Sequence, residues 1–177
     1  MPAPQFVDAL NEQIANEFAA SHQYAAIAAH YEAETYPRLA AFFYAQALEE
    51  RNHAMMMVKY LLDTDARVRF DGIDAPRGDF LDHVEPIRLA LEQERSVSQR
   101  ISEIFELARE HRDYLSEQFM QWFLKEQVEE EATMNELLDV AERVREDPME
   151  LENYIAREHP GGAPDDPSAP EIAGGGA

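Results

Sequence analysis

Four stretches of the chain each carry a line of side chains at alternating four- and three-residue spacing, the signature of a helix with one face turned to a common core. The first reads Phe6, Leu10, Gln13, Glu17, Ala20, Tyr24, Ile27 and Tyr31, and the second Phe43, Ala47, Glu50, Ala54, Met57 and Leu61. The third reads Ile87, Leu91, Glu94, Ser98, Ile101, Phe105 and Ala108, and the fourth Phe123, Gln127, Glu130, Met134, Leu137 and Ala141. Each line is apolar at its ends and interrupted near its middle by one glutamate. In "ALEERNHAMMM", residues 47–57, His53 follows Glu50 by one helical turn on the same face.

Breaks between the lines set the connections. The first helix spans about Gln5–Glu34, and "TYPR" ends it, with Pro37 suited to the first turn of a second helix that runs to about Leu62. A third helix covers about His83–Glu110, with Pro86 in its first turn, and after "HRD" a fourth covers about Tyr114–Arg145. A shorter fifth helix lies in "EDPMELENYIAREHP", with Asp147 as N-cap and Pro148 at N1. Short breaks make helices one and two antiparallel, and likewise three and four. Residues 63–82 have no helical period. A stretch of that length reaches roughly 65 Å when extended, more than the roughly 39 Å length of a 26-residue helix. It can therefore cross the whole bundle and start helix three parallel to helix two. The expected fold is all-α: an up-down-down-up four-helix bundle with one long crossover and a short C-terminal helix. Residues 1–158 form one domain. Residues 159–177, "HPGGAPDDPSAPEIAGGGA", form a flexible Pro/Gly-rich tail with almost nothing apolar to bury.

Composition narrows the chemistry. No cysteine is present, which excludes thiolate zinc sites and Fe–S clusters. The formal net charge of −21 opposes nucleic-acid binding, because phosphates need Lys and Arg partners. No signal-peptide pattern and no membrane-length apolar run is present, so a soluble cytoplasmic protein is expected.

Four mid-helix glutamates in one bundle would meet at one height, since packed helices lie about 8–10 Å apart. Buried without partners, each carboxylate would cost several kcal/mol or take up a proton. A pair of divalent cations removes the difficulty: four carboxylates balance two such ions, and His53 adds a neutral nitrogen. Carboxylates with one imidazole suit Fe²⁺ or Mn²⁺ better than structural zinc, although Zn²⁺ can substitute.

At these residues the sequence resembles a non-haem bacterial ferritin over about residues 5–158. The matching segments are "NEFAASHQY" with Glu17 and Tyr24, "LEERNHA" with Glu49, Glu50 and His53, "LEQER" with Glu94, and "QWFLKEQVEEE" with Glu126, Gln127, Glu129 and Glu130. The resemblance implies iron storage and detoxification. It implies a ferroxidase centre in which Glu17, Glu50 and His53 hold a first iron, and Glu50 bridges to a second held by Glu94 and Glu130 with Gln127 alongside. It also implies a third iron site at Glu49, Glu126 and Glu129, and a tyrosine, Tyr24, beside the centre. The substrates are then Fe²⁺ with O₂ or hydrogen peroxide. The family's shells contain twenty-four copies, with the fifth helix lining fourfold channels, and the acidic charge then serves ion guidance and mineral nucleation. Arg51 stands where haem-binding relatives carry a methionine, so no haem is expected. Long C-terminal extensions resemble those of some actinobacterial ferritins.

Two other classes fit the residues less well. One is a different di-metal carboxylate enzyme, peroxidase- or catalase-like; the other is a non-catalytic helical scaffold whose inward glutamates are misassigned. Metal content of the purified protein separates the scaffold from both enzymes.

Overall fold

The computed structural model describes residues 2–161 and 166–174. Five helices follow one another: α1 Pro4–Ala33, α2 Pro37–Asp63, α3 Glu85–Glu110, α4 Tyr114–Arg143 and α5 Pro148–Glu158. There is no strand among the described residues. Among the described residues, no helix is long and apolar enough to cross a membrane.

The crossover after α2 is pinned to α1 along nearly its whole length. Asn11 donates to Arg67 O at 2.9 Å and accepts from Arg69 N at 2.6 Å. Further on, Gln23 donates to Arg77 O at 2.8 Å and accepts from Arg77 N at 2.9 Å. Near the end of α1, Phe80 packs edge-on against His30, and the Tyr31 hydroxyl donates to His83 O at 2.7 Å. Contact with Asn11, then Gln23, then Tyr31 means that the crossover runs parallel to α1 and returns to the end of the bundle where α2 began. α3 therefore runs parallel to α2, giving the up-down-down-up order. Two side-chain amides supply the pairing that an irregular backbone otherwise lacks.

The first three helices stop without glycine. Thr35, Asp65 and Arg112 take left-handed φ values of 66°, 56° and 56°. Behind them Tyr36 N bonds Tyr31 O, Ala66 N bonds Leu61 O and Asp113 N bonds Ala108 O, at 2.8–2.9 Å. This is Schellman closure, in which glycine is the residue without strain. Thr35 is β-branched and fits the left-handed region worst. Thr35→Gly should therefore raise stability by about 0.5–1 kcal/mol, after the entropy that glycine costs. A denaturation midpoint unchanged or lowered in that variant would show that the strain is absent.

α5 docks on its own bundle. Leu151, Tyr154 and Ile155 are buried, whereas Met149 is 60 % exposed. Buried Glu152 accepts from Arg38 N at 2.9 Å and Leu39 N at 2.8 Å. It thereby caps α2, which starts on Pro37 without a side-chain cap of its own. Asp147 occupies the N-cap position of α5 but makes no side-chain cap bond.

The tail expected from composition to be free begins where α5 ends. Residues 162–165 and 175–177 of it lie outside the described residues. Its described stretch 166–174 lies against α2 and α4: Ala173 N bonds Met55 O at 3.2 Å, and Ala169, Ile172 and Ala173 pack on the adjoining core. A compositional reading undercounts these few small apolar side chains because the surface they meet comes from other helices.

The interior divides into two apolar bodies. One contains Tyr24, Tyr31, Phe43, Ile87, Met134 and the apolar face of α5. The other contains Phe6, Leu10, Ile14, Met57, Ile101, Met120 and Phe123. Between them lies the polar layer.

Candidate metal centre

Glu17, Glu50, His53, Glu94, Gln127 and Glu130 are all buried at this level. Helical spacing brings each inward: all but His53 occupy the seam that elsewhere carries Leu, Ile or Phe, and His53 lies one turn from Glu50 beside it. On α3 the seam differs from the expected line at alternate positions after Glu94: Val97 and Ile104 are buried, while Ser98 and Phe105 are only half-buried. Glu94, Ile101 and Ala108 keep the seven-residue repeat, and the buried residue between them falls three positions on rather than four, so the repeat holds and only its alternate positions are offset by one. Glu94, near the middle, is unaffected.

Two groups of ligand atoms share Glu50. Glu17, Glu50 and His53 each offer an atom within 4.8 Å of the others, and so do Glu50, Glu94 and Glu130. The Nδ1 of His53 lies 3.6 Å from Oε2 of Glu50. Gln127 donates its amide to Glu94 Oε2 at 3.1 Å, and the Tyr24 hydroxyl donates to Glu94 Oε1. A third group joins Glu49, His53, Glu126 and Glu130, on the side where burial lessens. Glu129 is exposed and pairs with Lys125 at 3.6 Å, outside these groups.

Several oxygens in the layer have no partner. Glu17 Oε2 and both carboxylate oxygens of Glu130 are buried without a hydrogen bond. Such atoms cost stability unless something outside the chain meets them. Burial, then the charges of Glu94 and Glu17, push Glu50 well above the ordinary carboxylate range. Burial, then Glu50 and Glu94, do the same to Glu130. Burial also raises Glu94. His53 is drawn both ways: burial disfavours its charged form, but the nearby carboxylates, Glu130 first, outweigh this and raise it. Burial and then Glu94 hold the Tyr24 phenol protonated, well above its usual value. Acceptors without donors, crowded at one height around a single imidazole, are a set of groups that could hold a cation.

Four contacts were not foreseen in the sequence. Gln13 donates to Glu17 Oε1 at 2.8 Å, and Asn16 donates in turn to Gln13 Oε1 at 3.1 Å, which orients Glu17. The signal was present, since Gln13 precedes Glu17 by four residues on the same face. The indole of Trp122 packs edge-on against His53 with centroids 5.6 Å apart. Asp166 accepts from the Trp122 indole at 3.0 Å, across a sequence distance that no spacing rule covers.

A model described as a ferritin-like domain matches residues 7–144. "Ferritin BfrB" of Mycobacterium tuberculosis (strain Erdman) is 49 % identical over 174 residues, covering 98 % of this chain and 96 % of the relative. "Bacterial non-heme ferritin" of Staphylococcus epidermidis is 40 % identical over 147 residues, covering 83 % of this chain and 89 % of the relative. Among solved structures, an open pore ferritin from the archaeon Archaeoglobus fulgidus superposes with a TM-score of 0.85 at 26 % identity, covering 89 % of this chain and 98 % of that one. With the bundle, the crossover, the fifth helix and the layer of inward carboxylates, these matches show that the chain is a member of the ferritin family, of the non-haem bacterial type.

Proposed function

We propose that this protein stores iron and oxidises Fe²⁺ at the buried layer as a ferroxidase. The observation that carries the reading is the pair of ligand groups sharing Glu50. Fe²⁺ is the substrate, with Glu17, Glu50 and His53 as its first position and Glu50, Glu94 and Glu130, with Gln127 beside them, as its second. Two Fe²⁺ each give up one electron. O₂ takes up both electrons and two protons and leaves as hydrogen peroxide; with peroxide as oxidant, the same two electrons and two protons yield two waters.

The chain's part is placement and charge. The shared carboxylate of Glu50 fixes the separation of the two positions, and four carboxylates offset the charge of two divalent ions. Gln13 and Gln127 orient Glu17 and Glu94 by donated amide bonds. Tyr24, protonated and bonded to Glu94, is a hydrogen donor at the edge of the second position. The apolar bodies above and below keep bulk water from the layer. Glu49 and Glu126 lead from the layer toward less buried surface and serve as a third position through which Fe³⁺ leaves; Glu129 is an outer member of that acidic path. The chain works as a shell of identical copies, with twenty-four the number expected, in the cytoplasm, and its net charge of −21 draws cations toward it.

Binding of a non-oxidisable cation tests the centre without turnover. Glu50 and Glu130 have raised pKa values in the empty protein, so they retain protons above the ordinary carboxylate range. The sign follows: the empty fold binds more protons than the unfolded chain, so these groups lower its stability as pH rises toward their folded values. A bound cation removes this loss and releases the protons. Stabilisation by Zn²⁺ should therefore grow as pH rises from about 5 to 7. Equal thermal shifts across that range, or none in wild-type protein, would contradict the centre.

A further inference from the structure

The segment 166–174 reaches the metal centre through one side chain. Asp166 is folded into a tight local turn, in which Ser168 donates both its backbone N–H at 2.8 Å and its hydroxyl at 2.6 Å to Oδ1. That leaves Oδ2 to accept from the Trp122 indole at 3.0 Å, with Lys125 Nζ at 4.0 Å. These bonds, from Ser168 first and then Trp122, hold the Asp166 carboxyl down at about 2, so it is ionised at neutral pH. The far end of the segment is tied to α2, by Ala173 N on Met55 O and by Glu171 beside Lys59 at 3.6 Å.

Trp122 has no other hydrogen-bond partner among the described residues. Its ring stands edge-on to His53 at 73° and edge-on to Phe123 at 90°. Phe123 meets His53 from a second direction, with centroids 5.9 Å apart. The imidazole thus packs against the edges of two aromatic rings. Phe123 is locked in the core, whereas Trp122 is half-buried and is fixed by the acceptor that the C-terminal segment brings.

We propose that Asp166 is a positioning residue for the metal centre: by holding the Trp122 indole against His53, it orients the imidazole for the first metal position. The proposal rests on the metal-centre reading above. Groups that orient a ligand without touching the metal typically change affinity by about 10–100-fold. Because the effect passes through His53, it should fall on the first position and spare the carboxylate-only second one.

The chain has one tryptophan, so its fluorescence reports the contact directly. Full-length Asp166→Ala, Asp166→Asn and Trp122→Phe proteins would be titrated with Co²⁺ alone, following both the absorption of bound Co²⁺ and, where Trp122 is present, its emission. Asp166→Ala should shift indole emission to the red and weaken the tighter Co²⁺ step about tenfold, leaving the weaker step unchanged. Asp166→Asn keeps an acceptor for the indole N–H and should restore both readouts toward wild type. Trp122→Phe removes the donor, so adding Asp166→Ala to it should change Co²⁺ affinity no further. A red shift with both Co²⁺ steps unchanged would reduce the segment to a surface clasp and overturn the proposal. An additive loss in the double variant would do so as well. Failure of wild-type protein to take up Co²⁺, or wild-type uptake in Glu50→Ala, would instead overturn the metal-centre reading itself.

Discussion

Glu50→Ala should slow the fast phase of Fe²⁺ oxidation by at least about a hundredfold. Groups that merely orient a ligand change metal affinity or activity by up to about that factor, and Glu50 is a ligand shared by both positions. Its loss leaves Glu17 with His53 on one side and Glu94 with Glu130 on the other, with nothing to fix their separation. The fold should survive. Three carboxylates crowd around Glu50, and removing one relieves repulsion that burial intensifies. Stopped-flow oxidation alongside circular dichroism and light scattering separates the two effects. Oxidation at the wild-type rate in a folded, fully assembled variant would remove Glu50 from the centre.

Truncation after residue 146 should cost the subunit about 5 kcal/mol or more. Leu151, Tyr154 and Ile155 are buried against the bundle, and burying a side chain of this size contributes about 1.5–3 kcal/mol. Losing Glu152 also leaves Arg38 N and Leu39 N without their acceptor at the start of α2. For a chain of this length each kcal/mol shifts the melting midpoint by about 2–4 °C, so a fall of about 10–20 °C is expected. Truncation after residue 159 keeps α5 and removes only the segment beyond it. It should melt within a few degrees of full-length protein, while showing the red-shifted Trp122 emission expected when Asp166 is absent. The resemblance read from the sequence implied a fifth helix that lines fourfold channels between copies. The structure buries most of that helix's apolar face on its own bundle and leaves Met149 exposed. A 146-residue chain as stable as the full one would mean that α5 contributes nothing through these contacts.

The seams in α1, α2 and α4 were legible position by position, since every residue assigned to them is buried. The inward glutamates stood out because each broke an otherwise apolar line. Periodicity was less reliable in α3, where the seam moves from Ser98 to Val97 and from Phe105 to Ile104. The seven-residue repeat through Glu94 holds at Ile87, Ile101 and Ala108, but spacing alone does not say whether the residue three or four positions on faces inward. Long-range polar contacts were not legible at all. Glu152 capping α2, Asn11 and Gln23 pairing with the crossover, and Asp166 holding Trp122 each join residues 44 to 114 positions apart. Such bonds depend on how elements dock, and local spacing carries no trace of them. Helix ends were placed correctly by their breaks, but the left-handed Thr35, Asp65 and Arg112 went unnoticed because the usual glycine is missing.

Anaerobic loading with Fe²⁺ followed by a pulse of O₂ tests the central claim most directly. Absorbance should show a rapid phase that saturates at about two Fe²⁺ per subunit, one for each ligand group sharing Glu50. Further Fe²⁺ should be oxidised more slowly while particle size stays constant and an electron-dense core appears inside it. Oxidation at the rate of free Fe²⁺ in buffer, with no saturating phase and precipitate outside the protein, would contradict the account.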